Sequence, residues 1–153
     1  MITKNITFED LEGNEITQPF YFNVSKAELI KLQTKEKNGL DRKLRQIASN
    51  QDVNGLITTI NEFIEMSYGE KSEDGIAFIK QKNGVRLVEN FMNTDAYSKL
   101  FEELVSSPDK LMEFVIGILP KDLAAQAQAE IAKNPQLMGS KEGIVATAPA
   151  EVK

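Results

Sequence analysis

The stretch from Ser67 to Pro120 constrains the fold of this chain more than any other. It opens on a polar turn sequence, Glu70 to Gly75, after which Ile76, Phe78 and Ile79 are expected to tuck inward. Thr94 then stands as an N-cap before Ala96, Tyr97, Leu100, Phe101, Leu104 and Val105, whose spacing predicts an amphipathic helix. Ser107-Pro108-Asp109 starts another, with a hydroxyl at the N-cap, proline at N1 and an acid in the first turn. Its stripe is Leu111, Phe114, Val115, Ile118 and Leu119, and Pro120 closes it. Helices this apolar must bury their stripes against something.

The rest of the chain supplies what they can pack on. Residues 2–8 alternate loosely and residues 16–24 more cleanly, with Phe20, Phe22 and Val24 on one face. Gly13-Asn14 between them suits a turn, so the two segments predict a β-hairpin. Pro19 has no N–H for a ladder and belongs on an edge. A hairpin alone is marginal in water, so helices must cover its Phe face or another copy must extend it. Ser25-Lys26-Ala27-Glu28 is a capping box, flanked by Val24 and Leu29 as a hydrophobic staple, and starts a helix running to about Lys35. A short helix is expected from about 41 to 49. Asp52 caps the longest stripe, Val53, Leu56, Ile57, Ile60, Phe63 and Ile64, which Gly69 is expected to stop. Val85 to Met92 reads equally as strand or helix start. Residues 121–133 are helix-prone by composition, with a thin face of Leu123, Ala127 and Ile131.

These elements predict an α+β protein, mostly α: an N-terminal β-hairpin over 1–24, a compact bundle of five to six helices over 25–133, and a flexible, disordered C-terminal tail over 134–153. The aromatic set Phe63, Tyr68, Phe78, Phe91, Tyr97, Phe101 and Phe114 is expected in the core.

Composition then removes whole classes of function. The 153 residues include no Cys, no His and no Trp. There is no disulfide, no thiolate, and none of the imidazole chemistry of Ser-His-Asp triads or of most zinc and haem sites. Net charge is −5, and the basic run from Lys35 to Arg45 is broken by Glu36 and Asp41, so no nucleic-acid partner is expected. The N-terminus has no signal-peptide pattern and no apolar run approaches a membrane span, so no membrane partner is expected either.

Three motif matches fail on inspection. Glu70, Ser72, Asp74 and Gly75 fall at positions one, three, five and six of a calcium-loop pattern, but position twelve is Gln81 where a bidentate glutamate is required. Gly69-Glu70-Lys71-Ser72 is similar to the end of a phosphate-binding loop, yet glycine does not directly precede the lysine. Glu102 and Glu103 diverge by about 100° around a helix and cannot act as a carboxylate pair. Catalytic residues, cofactors and metals are therefore all expected to be none, and the chain is expected not to be an enzyme.

A family resemblance goes further. Tyr68-Gly69-Glu70-Lys71, Asp74-Gly75, Phe78-Ile79-Lys80, Phe91, Thr94, Ala96-Tyr97, Leu100-Phe101, Leu104, Phe114, Ile116-Gly117-Ile118 and Pro120 resemble the tail assembly chaperones of long-tailed, siphophage-type bacteriophages. Ile6-Thr7-Phe8 and Phe20-Tyr21-Phe22 extend the resemblance over roughly residues 1–120. It implies a protein that binds the long, aggregation-prone tape measure protein and keeps it soluble in the host cytoplasm. Such a chaperone is absent from the mature virion and is often made in a short and a frameshift-extended form. The major tail protein is a second candidate partner, and a homo-oligomer, or several copies along one client, is expected, since copies on a long client add avidity. The expected client contact is Leu111, Phe114, Val115 and Ile118, with Leu123 beyond them, in helix-in-groove mode. The expected self-association edge is the hairpin at Phe20 and Phe22. The alternative is a structural tail or head–tail connector protein of the virion. A third class, an acidic adaptor mimicking nucleic acid, is disfavoured because acids and lysines alternate along the chain.

Overall fold

A computed structural model describes residues 1–35, 37, 42–43, 45 and 53–133, with side chains to residue 129. The expected helix at 41–49, the Asp52 cap, the side chain of Ile131 and the tail from 134 lie outside the described residues. Six helices are described: α1 (Lys26–Lys35), α2 (Val53–Ser67), α3 (Leu87–Phe91), α4 (Asp95–Ser106), α5 (Pro108–Ile118) and α6 (Lys121–Lys133). Six strands accompany them: β1 (Ile2–Glu9), β2 (Glu15–Phe22), β3 (Tyr68–Lys71), β4 (Phe78–Ile79), β5 (Gln81–Lys82) and β6 (Val85–Arg86). The α+β, mostly helical architecture with an N-terminal hairpin is as expected.

The local start signals act as their chemistry dictates. Ser25 Oγ accepts from the Glu28 N–H at 3.1 Å, and the Glu28 carboxylate accepts from the Ser25 N–H at 2.7 Å, closing the capping box. Thr94 caps α4 through the Tyr97 N–H, and Ser107 caps α5 through the Lys110 N–H. The ambiguous Val85–Met92 segment divides: Val85-Arg86 is strand, and Leu87–Phe91 is a short helix. Asn83 (φ 51°) and Gly84 (φ 78°) make the tight turn of the β5–β6 hairpin, a turn type requiring positive φ at both positions.

The sheet is larger than the hairpin. Its order is β1-β2-β3-β4, all antiparallel. Gly69 therefore sits in a strand and is not the helix stop expected of it; α2 ends at Ser67, whose hydroxyl bonds back to the Phe63 carbonyl at 2.6 Å. Hydrogen-bond parity explains where the ladders end. The Asp10 N–H reaches the Asn14 carbonyl at 2.9 Å, so even-numbered residues of β1 and β2 face each other. The Asn23 N–H reaches the Ser67 carbonyl at 2.7 Å, so odd-numbered residues of β2 face β3. Tyr21 pairs with Gly69, and the next residue to bond toward β3 would be Pro19, opposite Lys71. Proline has no N–H to give. The β2–β3 ladder stops there, while on the other side of β3 Glu70 and Lys71 pair with Ile79 and Phe78.

One core joins residues 1–24 to 25–133. Ile6, Phe8, Phe20 and Phe22 from the hairpin pack with Ile60, Phe63, Ile64, Phe91, Leu100, Leu104, Phe114, Val115 and Ile118. At its centre Phe22 is fully buried and meets Tyr68, Phe91 and Phe114 edge-on, with centroids 5.1–5.9 Å apart, while Tyr68 stacks on Phe91 at 4.5 Å. Of the aromatic set, Phe63, Phe91 and Phe114 are buried; Tyr68, Phe78, Tyr97 and Phe101 are half-buried.

Ion pairs brace the joints between elements. Lys80 reaches Glu28 Oε1 and the Met66 carbonyl, both at 2.6 Å, tying the start of α1 to the end of α2. Lys4 on β1 pairs with Glu103 on α4 at 2.6 Å. Burial raises the pKa of both Glu28 and Glu103, but hydrogen bonds and charge from Lys80 and Ser25, and from Lys4 and Lys110, outweigh it and hold both carboxyls below the ordinary range. At Lys80 desolvation wins over Glu28, lowering the ammonium, so the Glu28–Lys80 pair orients more than it stabilises. The unfolded chain binds more protons than the folded one as these carboxylates titrate, so stability is lost as pH falls through their folded values. With no histidine to titrate between pH 5 and 8, urea unfolding should give a flat midpoint across neutrality and a decline only below about pH 4.3, the unfolded glutamate value. In the Glu28→Gln, Glu103→Gln double variant that decline should be shallower.

Candidate partner-binding surface

The five residues expected to meet a client are mostly turned inward. Leu111, Phe114, Val115 and Ile118 on α5 are at most 2% exposed, and Leu123 on α6 is half-buried against the same core, together with Ala124 and Ala127. The reason is the sheet beneath them: α5 lays its stripe on the Phe face of the hairpin, and the Val24 N–H bonds to the Ile118 carbonyl at 2.8 Å. Phe20 and Phe22, expected at a self-association edge, sit on that same inner face and are buried as well. A strand's side chains point across the sheet, while its edge is formed by backbone groups.

What remains on the surface is elsewhere. Leu11 and Ile76 are 104% and 86% exposed, the two most exposed large apolar side chains among the described residues. Ile76 therefore does not tuck inward as expected. Both sit at turn tips held by aspartate. Asp10 Oδ1 accepts from the Glu12 and Asn14 N–H groups at 2.9 and 2.8 Å. Asp74 Oδ1 accepts from the Ser72 hydroxyl at 2.6 Å and the Ile76 N–H at 3.0 Å. The backbone hydrogen bond from Asn14 holds the Asp10 carboxyl below its ordinary range, and the Ser72 hydroxyl does the same for Asp74. An aspartate bonded two residues onward makes an Asx-turn, the sequence signal that marks Leu11 and Ile76 as tip residues.

The two tips share one end of the sheet. β3 runs antiparallel to β2, from Gly69 beside Tyr21 back toward the β1–β2 turn, so residues 72–77 project from the same end as residues 10–14. That end is acidic: Glu9, Asp10, Glu12 and Glu15 flank Leu11 in sequence, and Glu73 and Asp74 precede Ile76, while Glu70 is paired with Lys82 at 2.9 Å.

The calcium-like pattern at Glu70–Gly75 is used differently: its Ser72 and Asp74 side chains bond each other and the Ala77 and Ile76 N–H groups. Among the described residues no group of three or more His, Cys, Asp or Glu is placed to hold a metal ion, and no helix is long and apolar enough to cross a membrane.

Leu11 and Ile76 thus stand as single exposed apolar side chains at two turns rich in carboxylates. The chain belongs to the phage tail assembly chaperone family, whose pattern matches residues 1–152. Membership carries a role in assembling the phage tail in the host cell. Among curated proteins and among solved structures, no match to the chain is found.

Proposed function

We propose that this protein is a non-enzymatic chaperone that binds the tape measure protein of its phage, keeps it soluble in the host cytoplasm during tail assembly, and leaves before the particle is complete. The family match over nearly the whole chain carries this proposal. The client docks on the acidic end of the sheet. Leu11 and Ile76 enter apolar gaps of a client helix, and the surrounding carboxylates select a helix flanked by lysine and arginine. Each contact is small and its charges stay wet, which suits a client that must be released. The α5 stripe of Leu111, Phe114, Val115 and Ile118 is covered by the hairpin's Phe face, with Leu123 of α6 against the same core, and a client could reach it only if α5 left the sheet.

Co-expression with the tape measure protein tests this. The expected result is a soluble client that co-purifies with the chain, and at least a tenfold loss of co-purified client for the Leu11→Asp, Ile76→Asp double variant at unchanged thermal stability. Both side chains are exposed, so the variant folds. A client that stays insoluble, with the chain found instead in purified particles, would replace this function with that of a structural tail or connector protein. Retention of the client by the double variant would remove the contact from these two tips.

A further inference from the structure

We infer that two copies of this chain join through the outer edge of β1, forming a twofold antiparallel strand pair centred on Asn5. The parity of the ladder places the groups. Even-numbered residues of β1 bond to β2, so the N–H and C=O groups of Thr3, Asn5 and Thr7 point away from it. The Glu9 N–H points the same way and is taken by Asp95 Oδ2 at 3.0 Å. Among the described residues, no backbone or side-chain partner is recorded for the N–H groups of Thr3, Asn5 and Thr7.

Such an edge is a template for another strand, and native proteins usually guard it. β1 carries no proline, and its register with β2 runs from Ile2 to Glu9 without a bulge. Its one central charge, Lys4, faces inward, where pairing would normally bury it uncompensated; here it is already neutralised by Glu103 at 2.6 Å. The outward side chains Thr3, Asn5 and Thr7 are exposed, short and uncharged.

The occupant is a second copy because β1 is complementary to itself in one register. An antiparallel pair must match odd residues with odd ones. Centring the pair on Lys4 sets two lysines directly opposite, which is destabilising. Centring it on Ile6 sets Thr3 against Glu9, whose N–H is occupied. Centring it on Asn5 uses only free groups: Thr3 opposite Thr7, Asn5 opposite Asn5, and about six new backbone hydrogen bonds in all. Thr–Thr pairing is already used on this face, where the Thr7 and Thr17 hydroxyls meet at 2.8 Å. On the inner face the same register sets Ile2 against Phe8 and extends the apolar layer across both copies. The interface is isologous, so it closes at two copies and does not run on into a fibre.

The absence of cysteine from the chain makes the test clean. Sedimentation of the full chain should show a species of twice the 17.1 kDa chain mass. Asn5→Lys places like charges opposite each other at the twofold axis and should return the chain to a monomer, with its thermal midpoint measured alongside to exclude unfolding. Asn5→Pro removes the outward N–H, leaves the β1–β2 ladder bonds intact and should do the same. In Asn5→Cys the paired Cα atoms lie about 5.5 Å apart, within disulfide range, so mild oxidation should link two chains, whereas Glu73→Cys at the far turn should not. A monomeric chain whose Asn5→Cys variant crosslinks no more than Glu73→Cys overturns the inference. So does an oligomer that survives Asn5→Lys. Neither result bears on client binding, which is read by co-purification.

Discussion

Replacing Phe114 with alanine should lower the free energy of unfolding by about 3–5 kcal/mol. Phe114 is 1% exposed and packs edge-on against Phe22 with centroids 5.1 Å apart, where α5 meets the sheet. Truncation removes the ring and leaves a cavity between two rigid layers, helix above and strand below, which cannot both collapse into it. The urea midpoint should fall with little change in slope, and the thermal midpoint should drop by roughly 10 °C or more. Phe114→Asp should go further: a carboxylate in the same place has no partner, and the chain should not fold. Loss of client binding in that variant would therefore report unfolding, which is why Leu11 and Ile76 are the sites for testing client contact. A loss of stability under about 1 kcal/mol for Phe114→Ala would show that the stripe is not core in solution and would return it to the client.

The second large effect is expected at Gly69. Its φ is not left-handed, so the constraint is space, not backbone conformation. A Cβ there would lie 2.5 Å from Phe78 Cε2 and 2.6 Å from the Ile79 carbonyl oxygen. The carbonyl belongs to the neighbouring strand and cannot retreat without opening the Glu70–Ile79 pairing. Gly69→Ala should therefore cost about 1–3 kcal/mol. Gly117→Ala is the control. Its Cβ would meet the Ile2 side chain, Cδ1 at 2.7 Å and Cβ at 3.2 Å, at the first residue of β1, which can shift more readily than a paired carbonyl, and alanine adds about 1 kcal/mol of helix propensity in return. Thermal unfolding should separate the two, with Gly69→Ala well below the parent chain and Gly117→Ala close to it. Equal midpoints for both variants would refute the close approach of β3 to β4.

Residues whose partners lie within a few positions could be read directly. Ser25 with Glu28, Thr94 with Tyr97 and Ser107 with Lys110 each act within three residues, and each cap lies where expected. The α5 stripe is buried on the face its spacing marks, as are Ile60, Phe63 and Ile64 of α2 and Ala96, Leu100 and Leu104 of α4, whereas Val53, Ile57 and Val105 of the expected stripes are exposed. Gly69 misled because a glycine after a helical run signals a C-cap, whereas here it serves a strand contact ten residues away in sequence. Ile76 misled because one apolar residue beside Phe78 and Ile79 carries no period, and the Asp74 turn decides its direction.

The sequence by itself therefore determined the elements, their starts and the class of chain: a hairpin followed by capped amphipathic helices, free of cysteine and histidine. Only the tertiary structure decided which apolar stripe faces solvent. Periodicity shows that a stripe must be covered and says nothing of what covers it. For Leu111 to Ile118 the cover is the Phe face of the chain's own hairpin. The surface left for partners is defined by pairing at a distance: β3 against β2 directs both acidic turns toward one end of the sheet, and the parity of β1 against β2 turns Thr3, Asn5 and Thr7 outward. Hydrogen-bond parity belongs to a pair of strands, and a single strand read alone does not contain it.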